Sequence, residues 1–118
     1  MDTPMDTRLM LAELKASDAK ALYFFCDDNL TAAKDACGAA KLHMNLTYKI
    51  FNKSTGGYGS QTTDTWLALR AWKHAEEELT QAEVHLSECQ TARNNAEKEL
   101  MKAEVELCNV HRSLGNIK

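Results

Sequence analysis

Between Thr65 and Leu114 two tracks repeat every seven residues without interruption, and few folds accept that pattern. Trp72, Leu79, Leu86, Arg93, Leu100, Leu107 and Leu114 form one track; Ala68, Ala75, Ala82, Cys89, Ala96, Ala103 and Val110 form the other. Residues spaced by alternate steps of three and four stay on one face of a helix, and alternation of large with small side chains lets a second helix approach closely. The stretch predicts one helix over about 65–114, roughly 75 Å long at 1.5 Å per residue, packed as a coiled coil. Arg93 is the charged exception in the seam, a position where one polar residue more often fixes register than performs chemistry.

The remainder of the chain supplies what that helix packs against. Thr3, Pro4, Met5 and Asp6 read as a capping hydroxyl, a proline at the first helical position and a nearby acid, so helix 1 is expected over about 3–26. Its apolar stripe is read as Leu11, Leu14, Ala21, Leu22 and Phe25, with Tyr23, Phe24 and Phe25 closing one end of the bundle. Asp27, Asp28 and Asn29 are poor helix formers and good caps, which predicts a break before helix 2 at about 29–52. Leu30, Ala33, Cys37, Ala40, Met44, Thr47 and Phe51 give that helix a second narrow seam. Gly56, Gly57 and Gly59 mark a loop over about 52–64, with Asp64 capping helix 3 and Gly115 ending it. The Gly-rich run lacks a Lys-Ser/Thr pair, so it reads as a solvated turn rather than a phosphate cradle.

Composition narrows the partners. With 118 residues, 44% hydrophobic and 26% charged, the chain suits one all-α domain spanning 1–118, and its many alanines imply a thin core. A net charge of −3 without a Lys/Arg run argues against nucleic acid. No apolar run reaches the roughly 18 residues a membrane span needs, and no basic region followed by an apolar stretch opens the chain. Neither membrane insertion nor a signal peptide is therefore expected of this chain.

Four cysteines bear on the architecture. Cys89 and Cys108 lie on one helix about 28 Å apart and cannot bond to each other. Crossed bridges would need incompatible registers, which leaves the nested set, Cys37 with Cys89 and Cys26 with Cys108. The resulting expectation is an elongated, disulfide-stapled three-helix bundle. The alternative is an antiparallel helical hairpin in which Cys26 meets Cys89, leaving Cys37 and Cys108 for links between chains.

Three sequons, at Asn29, Asn45 and Asn52, all fall in the first half and suggest glycosylation in an oxidising, extracellular or cell-surface setting. A helical hairpin with two cysteines per helix and no presequence also resembles the twin Cys-x9-Cys proteins of the mitochondrial intermembrane space. Here Cys26 and Cys37 enclose ten residues, and Cys89 and Cys108 eighteen. That resemblance implies an accessory subunit of an intermembrane-space or membrane-complex assembly.

His85 with Cys89 and Cys108 with His111 have ligand-like helical spacings, but most of about 30 Å of helix separates the pairs, and no metal or cofactor is expected. No grouping of Ser, His and acid suggests catalysis, and Glu76 to Glu78 reads as a solvated face. The chain is thus expected to be a non-enzymatic structural or recognition module of a surface or secreted glycoprotein. Its partner is a protein, the chain itself included, and Tyr58 with Trp66 at the loop end are the candidate contacts.

Overall fold

The computed structural model describes residues 4–115 apart from 56–62, and it contains two helices. Helix α1 spans Pro4–Thr55 and α2 spans Thr63–Gly115. Internal contacts divide the chain into two compact units, one built from Met1–Leu30 with Cys89–Lys118, the other from Thr31–Glu88.

In the first unit the two helical segments run antiparallel. Tyr23 and Asp27 both meet Arg93, while Lys15, earlier on α1, meets Glu106, later on α2. That register sets Ala12 level with Leu107, Ala19 with Leu100, Tyr23 with Ala96 and Leu30 with Cys89. Ala12 and Ala96 are buried, whereas Leu100, Leu107 and Tyr23 are half-buried. A Leu in a two-helix seam has one helix against it and solvent beside it; an Ala under the opposing backbone is covered completely.

The second unit repeats the arrangement. Tyr48 and Phe51 pack on Trp72, with ring centroids 5.2 and 5.3 Å away, and Thr65 donates a 3.4 Å hydrogen bond from Oγ1 to the Ser54 carbonyl. This sets Met44 level with Ala75, which is wholly buried, and Phe51 level with Ala68, also buried. Thr47 lies in the seam with its hydroxyl satisfied locally, donating to the carbonyls of His43 at 3.0 Å and Met44 at 2.9 Å.

Three expectations are corrected here. The break at Asp27–Asn29 does not occur, so the described residues form two helices and not three. Tyr23, Cys26, Leu30 and Ala33 carry the seven-residue pattern straight through the acidic triplet, and packing along that seam outweighs the weak helix propensity of Asp and Asn. The stripe of Leu11, Leu14, Ala21, Leu22 and Phe25 does not face the core, because all five are exposed. The packed face of this part of α1 is instead Leu9, Ala12, Ala16, Ala19 and Tyr23, one or two positions away. Within the aromatic triplet only Tyr23 enters the seam, and Phe24 and Phe25 point outward. Thr3 of the capping signature and the glycines of the loop lie outside the described residues; Asp64 falls in the first turn of α2, where its charge suits the helix dipole.

Small side chains in the seam set the distance between the helices. Replacing Ala96 or Ala103 by Leu is expected to lower unfolding free energy by about 1 to 3 kcal/mol through overpacking. The exposed Val84→Ala should stay within about 0.5 kcal/mol of the parent. Urea unfolding followed by circular dichroism compares them, and equal midpoints for all three variants would show that the seam is not packed.

Candidate functional site

The most connected polar group in the described residues is Arg93. It occupies a seam position of α2, and its guanidinium is held from both helices. Nη2 donates to the Tyr23 hydroxyl at 2.6 Å, Nη1 donates to Glu97 Oε2 at 2.8 Å, and Nε stands 3.5 Å from Asp27 Oδ1. The guanidinium carbon is 5.0 Å from the centre of the Tyr23 ring. Partial desolvation pulls the Arg93 pKa down, but Tyr23, Glu97 and Asp27 together outweigh it and raise the pKa above its usual value. A raised folded-state pKa leaves this stabilising contribution fully present below the ordinary arginine range. The two hydrogen bonds and the Asp27 contact all engage the protein's own two helices, so the cluster aligns the helices rather than offering a charged site to a ligand.

The other charged pairs are surface features. Lys73 approaches Glu76 at 3.5 Å, His74 approaches Glu78 at 2.9 Å, and Lys102 approaches Glu99 at 3.5 Å, each along one helix, and Lys15 approaches Glu106 at 3.7 Å between the helices. Such exposed pairs contribute about 0.2 to 1 kcal/mol each at most. No group of three or more His, Cys, Asp or Glu able to hold a metal ion occurs among the described residues. No described helix is long and apolar enough to cross a membrane.

None of the four cysteines is in a disulfide, which corrects the nested set. The reason is register. Cys26 is level with the Arg93 region, and Cys108 lies 15 positions further along α2, about 22 Å away by helical rise. Cys37 faces the part of α2 near Ala82 in the second unit, whereas Cys89 belongs to the first unit and is level with Leu30. The hairpin alternative, Cys26 with Cys89, is likewise unbonded. Cys26 and Cys37 are buried as small seam residues, and Cys108 is exposed.

Asn29, Asn45 and Asn52 are all exposed, and all three lie within α1 rather than at breaks or in a loop. Asn45 and Asn52 are one seven-residue repeat apart and share a face. Trp66 is exposed on the first turns of α2, and Tyr58 lies outside the described residues.

The feature that sequence reasoning placed wrongly is the outer surface of α1 in the first unit. Met10, Leu11, Leu14, Phe24 and Phe25 are each more than half exposed on the side opposite the seam. Isolated exposed Leu residues are ordinary; five large apolar side chains on one helix face within 16 positions are not. A smaller strip on α2, Met101, Val105 and Cys108, lines an open groove with Arg112.

Compared with known proteins, the chain matches no protein-family model, no curated protein and no solved structure.

The thiols give a direct check of the seam. A maleimide should modify Cys108 in the native protein at least about tenfold faster than Cys26 or Cys37, which should react only when the helices separate. Non-reducing digestion that links the Cys26 and Cys108 peptides of one chain would overturn the register described above.

Proposed function

We propose that this chain is a non-enzymatic helical module that works by binding protein, as part of a surface or secreted glycoprotein. One observation supports it above the others: the seam buries mainly Ala and Cys, while Met10, Leu11, Leu14, Phe24, Phe25 and Trp66 keep more than half of their surface exposed. Surface of that kind gains most when another protein covers it, since burial of apolar area is worth about 25 cal/mol per Å². The exposure of all three sequon asparagines agrees with glycan attachment along α1, since a glycan there meets no packed surface. The accessory-subunit reading gains no support from the cysteine register, because twin bridges need cysteines level with each other across the hairpin.

Two measurements test the proposal. Intact-mass analysis of material from the native source should show hexose-sized increments that disappear when Asn29, Asn45 and Asn52 are replaced by Gln; an unmodified mass would defeat the glycoprotein part. Exchange of Tyr58 and Trp66 for Ala, with helicity and melting unchanged, should reduce capture of the native partner several-fold if the loop end makes the contact. Undiminished capture would move the contact to the outer apolar face of α1.

A further inference from the structure

The outer face of α1 in the first unit has an internal order that a random apolar patch would not have. Read along the helix it runs as the pair Met10 and Leu11, then Leu14, then Ser17 and Asp18, then Ala21, then the pair Phe24 and Phe25. The spacing follows alternate steps of three and four, so these residues form a second seven-residue stripe on the side away from the packed seam. The order is nearly self-complementary when reversed. Two copies laid antiparallel about a two-fold axis between Ser17 and Asp18 bring the aliphatic pair of each against the aromatic pair of the other.

The remaining positions agree with that arrangement. Leu14 meets Ala21 of the second copy, large against small, the same rule that closes the intramolecular seam. At the centre Ser17 meets Asp18 of the second copy, so the interruption in the stripe is matched by a hydroxyl that can donate to a carboxylate. An isologous interface requires this kind of self-complementarity, because each patch must fit itself after rotation.

The area is of the right order. Met10, Leu11, Leu14, Phe24 and Phe25, with Leu22 at the edge, retain half or more of their surface. Together they offer on the order of 600 Å² per copy before neighbouring polar atoms are counted, against roughly 800 Å² per partner in a standard interface. The sequon at Asn29 lies four residues beyond Phe25, past the end of the stripe.

We propose that the outer face of α1, from Met10 to Phe25, is a homodimer interface in which two copies pair antiparallel about Ser17 and Asp18. This deepens the reading of the chain as a protein-binding module by naming a second copy as the partner. Sedimentation equilibrium of the full-length chain at about 50 µM should give twice the 13.2 kDa chain mass, with dissociation on dilution. The double variant Leu14→Lys and Phe25→Lys should weaken pairing at least about 100-fold with helicity retained, since it places charge in the interface twice over. Val84→Lys, on an exposed position of the second unit, should leave the dimer intact.

A monomeric parent chain would overturn the proposal, as would a dimer unaffected by the two lysines. These outcomes are distinct from failure of the broader reading. A monomer that still carries glycan mass and captures a protein would remove the homodimer and leave the module.

Discussion

Everything in this structure depends on how closely two helices can approach when large side chains of one meet small side chains of the other. Leu100 and Leu107 of α2 lie level with Ala19 and Ala12 of α1 in the first unit; in the second the roles reverse, and Met44 and Phe51 of α1 lie level with Ala75 and Ala68. Each layer keeps a similar thickness because its total side-chain volume changes little. Ala12, Ala68 and Ala75 are buried and Ala19 is half-buried, while Leu100 and Leu107 keep part of their surface in solvent.

That arrangement has an unavoidable side effect. A seam made of small residues uses up little apolar area, so a sequence with ordinary hydrophobic content has to put its larger residues elsewhere. In α1 they lie on the reverse face, in a stripe from Met10 to Phe25, and near the loop end at Leu46 and Ile50. The polar residues divide in a comparable way. Most make short-range pairs along their own helix, while Arg93 gathers Tyr23, Asp27 and Glu97 at the seam itself.

How much of this could be read from the sequence follows from the same rule. The seam of α2 was legible because its large track, Trp72 to Leu114, is interrupted only by Arg93, and no second stripe competes with it. The first part of α1 was not legible, because it has two stripes at helical spacing and size alone favours the wrong one. Leu11, Leu14 and Phe25 look more like core than Ala12, Ala16 and Ala19, yet a partner lined with Leu accepts the alanines. Matching the stripe to the partner's side-chain sizes would have selected the correct face. The Asp27–Asn29 triplet misled for a related reason: capping preference is a local effect of about 1 kcal/mol, while the seam continues on both sides of it. The nested disulfides followed from excluding the other pairings, without the register that the Arg93 and Lys15 contacts set. Of the candidate contacts, the exposure of Trp66 could be anticipated from its position just outside the seam, whereas the self-matching order of the outer stripe has meaning only once that face is known to point outward.

The regularity of the seam also makes it degenerate. Slide one helix by seven residues, about 10 Å, and nearly every large residue again faces a small one, so hydrophobic packing scarcely distinguishes the native alignment from its shifted copies. Each unit holds one mark that breaks the tie. In the first, Arg93 would lose Tyr23 and Asp27 and be left among alanines; in the second, Trp72 would lose its stacking with Phe51 and its tilted contact with Tyr48. The chain therefore resembles a ruler with identical divisions and two engraved lines. A protein of this kind with both lines erased would keep its helices while losing a unique answer to where they meet.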